Sequence, residues 1–316
     1  MKVLVGYTGF VGGNLKVQTA FDAYYNSKNI REAFGLKPDL LVYCGVKAEK
    51  YMAIQNPEAD RLHIEEAMAN ISAIAPKKIV LISTIDVYPK PLHVDEATMP
   101  SVDAFDKNAY GKHRLMLEAY VREHFDALIV RLPALFGLGL KKNFIYDLSH
   151  PIPTKLSASL YHKLSANEAA IAKAYTLDTS TNFYVLKEVY DAAALLEAYE
   201  HQQFSSLHFT DSRAVFQFYP LNRLWQDIET ALSHQLTTVN LATEPLSISE
   251  IHERIKGKPY LNEKDNAYPI YDLRTKYAAY YHDPASELDL LHRAFPYLMT
   301  KETVLDSIEM YLRGDQ

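Results

Sequence analysis

The chain has 316 residues, 48% apolar and 23% charged, which suits a soluble globular protein of one large or two modest domains. Its formal net charge of −6 gives no general attraction to nucleic acid or to an anionic membrane, and no stretch approaches the roughly 18 apolar residues of a membrane span. The single cysteine, Cys44, excludes an intrachain disulfide and cysteine-rich zinc sites. The 12 histidines are scattered, so no metal site is expected. The opening Met-Lys-Val-Leu-Val-Gly is too short an apolar run for a secretory signal, and a cytoplasmic location is expected.

Short apolar runs alternate with helical patterns in the first half. Residues 2–5 predict a strand that ends in glycines, 13–18 a helix, 19–25 a second strand and 39–44 a third. Residues 57–75 predict a helix, 78–83 a strand, 109–124 a helix and 127–132 a strand. This alternation predicts an α/β protein with a parallel sheet covered on both faces. After about residue 140 the pattern weakens. Residues 165–175 and 187–202 read as helices, and 207–209 and 237–240 as short strands. Residues 221–233 and 247–255 read as helices, the latter opened by Ser247 and Glu250 in capping-box spacing. Residues 265–283 are rich in tyrosine and poor in periodicity, and a last helix is expected near 300, with 303–312 apolar on one face. The 23 tyrosines suit sugar contacts, but tyrosine more often fills half-buried positions.

Gly6-Tyr7-Thr8-Gly9-Phe10-Val11-Gly12 follows the first strand and opens a helix. Gly6 permits the tight turn, Gly9 lets backbone approach a pyrophosphate on the helix N-terminus, and Gly12 allows helix and strand to pack closely. The other reading is a glycine turn without a ligand.

Further stretches follow in order. They are Tyr43-Cys44-Gly45-Val46, then Ile82-Ser83-Thr84-Ile85-Asp86-Val87-Tyr88 and Tyr110-Gly111-Lys112-His113-Arg114, then Val130-Arg131-Leu132-Pro133-Ala134-Leu135-Phe136-Gly137. With Phe216-Gln217-Phe218-Tyr219 and Val239-Asn240-Leu241-Ala242-Thr243, they make the chain resemble the extended short-chain dehydrogenase/reductase family, also called the NAD-dependent epimerase/dehydratase family, from residue 1 to about 255. The short link between the second and third strands resembles the dTDP-4-dehydrorhamnose reductase branch. The resemblance implies a Rossmann-type doubly wound parallel sheet with a smaller interleaved C-terminal substrate domain. Residues 1–145 and about 214–243 would form the dinucleotide-binding domain, and 146–213 and 244–316 the substrate domain.

The implied cofactor contacts are Gly6, Thr8, Gly9, Phe10, Val11, Gly12, Asn26, Ser27, Cys44, Gly45, Val46, Tyr110, Arg114 and Pro133. The second strand ends Tyr24-Tyr25-Asn26-Ser27-Lys28, with no carboxylate to hold a ribose 2′-hydroxyl. That favours NADP over NAD, unless Ser27 and Lys28 are simply a solvated turn.

The implied catalytic residues are Thr84, Tyr110, Arg114 and Asp86. Tyr110 would exchange the hydroxyl proton and Thr84 orient the oxygen, while a nearby cation lowers the phenol's pKa. The family has lysine where Arg114 stands. Arginine gives a fixed charge but cannot relay a proton. The site then works with arginine as helper, works slowly, or only binds a nucleotide. Asp86 is an acid/base candidate or a hydrogen-bonded strand-end aspartate. Lys47, Thr84 and Asn143 are the implied substrate contacts, Asn143 beside Lys141 and Lys142.

The implied function is NAD(P)-dependent oxidoreductase or epimerase chemistry on a carbohydrate, in particular a nucleotide-sugar. The alternatives are a catalytically weak or inactive NAD(P)-binding regulator or scaffold of the same fold, and a reductase acting on a non-sugar carbonyl. Family members often form homodimers through helices like those at 57–75 and 109–124.

Overall fold

A computed structural model of the chain describes residues 1–105, 108–282 and 295–314; position 283, the end of the tyrosine-rich stretch, lies outside the described residues. The chain divides into two compact units: Met1–Leu140 with Val215–Leu246 and Pro269–Gln316, and Lys141–Ala214 with Ser247–Tyr268.

The first unit is built on one sheet of six strands: β1 (Lys2–Val5), β2 (Ala23–Tyr25), β3 (Leu40–Tyr43), β4 (Lys78–Thr84), β5 (Asp126–Leu132) and β6 (Thr238–Asn240). Their order is β6-β5-β4-β3-β1-β2, and each neighbouring pair is parallel. The strands are near-continuous apolar runs because both faces are covered. On one face Val3, Leu41, Ile79 and Ile129 share a core with Ile64 and Ile71 of α3 (Pro57–Ile74) and Leu117 and Val121 of α4 (Ala109–His124). On the other face lie α1 (Phe10–Gln18) and the helix Leu224–Ser233, which touch each other. This is the Rossmann-type doubly wound arrangement.

The chain leaves β1 for β2 on one side and returns to β3 on the other, so direction reverses at β1. Open α/β sheets bind ligands at such a reversal, outside the carboxyl ends of the strands. The glycine turn after β1, the Cys44 segment after β3 and Thr84 at the end of β4 all lie at those ends.

Local signals explain the helix starts. Asn56 accepts from the Ala59 amide with Pro57 in the first turn of α3, and Asn108 accepts from the Gly111 amide at the start of α4. The expected helix at 13–18 begins earlier, at Phe10, directly after the middle glycine.

The described part of the tail joins the first unit, although the second region was expected to claim it. Asp272–Leu273 pairs in parallel with Leu92–Val94, the Leu298 amide bonds the Ala242 carbonyl at 2.8 Å, and the helix Lys301–Arg313 packs on the strand Phe218–Pro220.

The second unit has a three-stranded antiparallel sheet, Lys155–Ser157, Phe183–Leu186 and Tyr175–Asp178, with Phe183–Leu186 in the centre. Leu156, Leu164, Ile171, Tyr175, Leu195 and Tyr199 form its core. The helix expected at 165–175 is instead two helices, Ala158–Ser165 and Ala169–Ala174, followed by a strand. The one expected at 187–202 is Ala192–His201, and the strand expected at 207–209 is a 3-10 turn, Ser206–Phe209. The His208 imidazole accepts the Ser205 amide and closes that turn.

Candidate active site

The glycine turn is held by exclusion. A Cβ on Gly12 would lie 2.3 Å from the Gly6 carbonyl oxygen, and one on Gly6, at φ +89°, would lie 2.5 Å from the Cys44 carbonyl oxygen. Both positions therefore require glycine, and the turn sits tight against the end of β3, at Cys44 and Gly45. Helix α1 starts from Gly9 with no side-chain cap and no acidic residue in its first turn. An uncapped, positively polarised helix start framed by glycines fits the diphosphate of a dinucleotide. Thr8, Phe10 and Val11 belong to the same turn and helix start.

After β2, the Asn26 side-chain oxygen accepts the Lys28 amide at 2.9 Å, which leaves Ser27 and Lys28 exposed on a small turn. The described turn carries no carboxylate.

Thr84 ends β4. Its hydroxyl accepts the Asp86 amide at 3.1 Å and lies close enough to the Tyr110 phenol to act on it. Tyr110 opens α4 and is 8% exposed. Burial pushes its phenol above the usual value. Arg114, Lys50 and the nearby Thr84 hydroxyl pull it back, and Asp86 pushes with burial. The phenol is therefore neutral at physiological pH.

One pocket of about 310 Å³, the scale of a small-ligand site, is lined by Thr84, Asp86, Tyr110, Pro133, Lys50 and Tyr271 among others. All its lining belongs to the first unit. Thr84, Tyr110 and Asp86 are thus brought together as expected from the sequence, with Pro133 beside them. Asp86 accepts from Lys50 at 2.6 Å and from the Tyr271 hydroxyl at 3.2 Å.

Arg114 is placed differently. It is 5% exposed and does not line the pocket. Its guanidinium lies over the Tyr110 ring, 3.9 Å from the centroid. One terminal nitrogen donates to Asp60 at 2.5 Å and to the Tyr110 carbonyl at 3.3 Å, and the other donates to the Lys47 carbonyl at 2.7 Å. Its Nε is buried without a partner. The expected substrate contact Lys47 thus meets this ion pair through its carbonyl, while its side chain is exposed. Asn143, in the second unit, caps the helix Phe144–Ser149 by accepting the Tyr146 amide.

A buried network braces the floor of the site. Glu118, fully buried, accepts from Ser83 at 2.6 Å and from Arg131 at 2.6 Å, and Arg131 also donates to the Tyr88 hydroxyl at 2.6 Å. It ties α4 to β4 and β5 next to Thr84.

Lys50, Asp60 and Tyr271 were not singled out from the sequence, and Phe216 entered only as part of the Phe216-Gln217-Phe218-Tyr219 stretch, with no site role. Lys50 starts a short helix, Lys50–Gln55, and Tyr271 lies in the tyrosine-rich tail. The Phe216 and Tyr271 rings stack at 5.7 Å. Gln217 sets their register: it donates to the Thr243 and Leu273 carbonyls at 2.5 and 2.7 Å and accepts the Leu273 amide at 2.8 Å.

No family model matches the chain, and no curated protein matches it. Solved structures do. A dTDP-4-dehydrorhamnose reductase from Yersinia enterocolitica is 14% identical with a TM-score of 0.57 over 98% of each chain. UDP-glucose 4-epimerase from Thermotoga maritima, solved with UDP-glucose, is 11% identical with a TM-score of 0.58 over 100% of each chain. An NAD-dependent NDP-hexosamine 5,6-dehydratase of tunicamycin biosynthesis is 14% identical with a TM-score of 0.56 over 88% of each chain. From its strand order through to these end-to-end likenesses, the chain shares the Rossmann-type fold of these solved structures.

Proposed function

We propose that the protein is an NAD(P)-dependent enzyme that reduces, oxidises or epimerises a carbohydrate, specifically a nucleotide-sugar. The observation that carries this reading is the Tyr110–Thr84 hydroxyl pair lining a pocket at the carboxyl ends of the strands. The glycine turn would hold the diphosphate of the cofactor, which supplies or receives the hydride. The relatives in fold named above support the substrate class.

In this reading Thr84 orients a substrate oxygen and Tyr110 moves its proton. A neutral phenol can donate the proton to a substrate oxygen in reduction and, by microscopic reversibility, take it back in oxidation. Asp86 stands paired with Lys50 and would serve as a second acid/base or as a sugar-hydroxyl acceptor. The exposed Ser27–Lys28 turn accommodates a 2′-phosphate better than a carboxylate would, which favours NADP. Asn143 and Lys47 remain proposed substrate contacts, and homodimerisation through α3 and α4 remains a proposal.

Calorimetric titration with NADPH, NADP, NADH and NAD tests the cofactor half. A nucleotide-sugar panel with Tyr110→Phe as control tests the chemistry. Tighter binding of the phosphorylated pair, and a fall of about 100-fold or more in turnover for Tyr110→Phe, are expected. No binding of any of the four would remove the reading. Binding without turnover on the panel would leave a nucleotide-binding protein of the same fold.

A further inference from the structure

A cation that is to follow charge as it develops on the Tyr110 phenol oxygen must reach the pocket with a free-moving head group. Among the described residues, the charges that bear most on that phenol are, in falling order, Arg114 from its own helix, Asp86 from the turn after β4, and Lys50 from the helix Lys50–Gln55. Arg114 does not line the pocket. Its terminal nitrogens are committed to Asp60 and to the carbonyls of Tyr110 and Lys47, and it meets the tyrosine through the ring face. Lys50 lines the pocket together with Thr84 and Tyr110, and its ammonium donates to Asp86 at 2.6 Å and to the Tyr271 hydroxyl at 3.3 Å.

We propose that Lys50 is the working cation of this pocket, a further residue of the proton-handling site, and that Arg114 is a positioning residue that holds the tyrosine ring and the Lys47 segment. This deepens the function proposed above and rests on Tyr110 handling a proton. An ammonium is a compact charge with three donors on a flexible stem, so it can follow a phenol oxygen as charge develops there. A guanidinium clamped by a carboxylate and two carbonyls cannot. The Lys50 side chain is 43% exposed, so the partial loss of water at its ammonium works against its charge, but Asp86 and Tyr271 outweigh that and hold its pKa up to about 12, so it stays charged wherever the enzyme would operate. The Lys50–Asp86 pair also sets a sign rule. Removing the cation disfavours the phenolate, and removing the carboxylate favours it.

The test needs neither cofactor nor substrate, so its failure is distinct from failure of the proposed function. Difluorotyrosine is placed at position 110 of the full chain, and the fluorine chemical shift is followed against pH; its phenol is more acidic than tyrosine's, which keeps the titration in the folded range. Lys50→Met should raise the ionisation midpoint by about one pH unit, a tenfold change in the ionisation constant. Lys50→Arg should restore most of it, and Asp86→Asn should lower the midpoint. Lys50 is exposed on a short helix, so its variants keep the fold, and circular dichroism checks this. An unmoved midpoint in Lys50→Met would overturn the proposal. So would a Lys50→Arg variant that behaves like Lys50→Met, or an Asp86→Asn midpoint that rises.

Discussion

A Cβ on Gly111 would stand 2.0 Å from the carbonyl oxygen of Asp86. The start of α4 is pressed onto the turn Ile85–Val87, and this contact places Tyr110 against Thr84.

Gly111→Ala therefore sets two effects against each other. Alanine in a helix is favoured over glycine by about 1 kcal/mol. The added methyl also meets the Phe105 ring at 2.8 Å, and forcing it against backbone costs about 1–3 kcal/mol or more. The clash should win. Thermal unfolding should show a less stable protein, and the approach of Tyr110 to Thr84 should be disturbed. An alanine variant more stable than the parent would disprove the tight contact.

The Asp60 carboxylate holds both the Arg114 guanidinium, at 2.5 Å, and the His113 imidazole, at 2.8 Å. All three side chains are 10% exposed or less. Asp60→Asn leaves a buried guanidinium without its counter-charge, which should cost about 3 kcal/mol in denaturant unfolding. A loss under about 1 kcal/mol would show that Arg114 finds water or another partner.

In the second unit, burial pushes the Asp147 carboxyl up to about 7. The folded value lies above the unfolded one of about 3.9, so the native state binds the proton more tightly. Its contribution is full below about pH 4 and is lost as pH rises through 7. Discounted for partial exposure, roughly 1–2 kcal/mol should disappear over that window. Asp147→Asn should flatten this slope in a pH series of thermal unfolding. An unchanged slope would assign it to other groups.

The first half of the chain was legible because each central strand is an apolar run closed by turn residues, as in Lys78–Thr84, and because Asn56 and Asn108 mark helix starts. The second half misled where Leu207-His208-Phe209 alternates like a strand. A local imidazole–amide bond decides that segment, and periodicity does not register it. Thr84 and Tyr110 were readable because each sits at the end of an element. Lys50 and Tyr271 were not: the tertiary fold brings together residues from the third crossover and the tail, and no spacing rule connects them. The partner of Arg114 was hidden for the same reason, since Asp60 reads as one more acid in the first turn of α3.

The first unit is assembled from three stretches of chain, Met1–Leu140, Val215–Leu246 and Pro269–Gln316. During synthesis the glycine cradle and its β3 neighbour are complete once Gly45 has emerged, and Thr84 and Tyr110 follow soon after. The pocket wall must wait for Phe216 and Tyr271, and the edge strand β6 for Asn240. The nascent protein therefore has its glycine turn long before the pocket has its full wall. Its sheet carries an unpaired β5 edge until Thr238–Asn240 has left the ribosome, after the second unit's first long segment. Shielding of that edge, by a chaperone or by early docking of the helix Leu224–Ser233, is the step on which productive folding would depend.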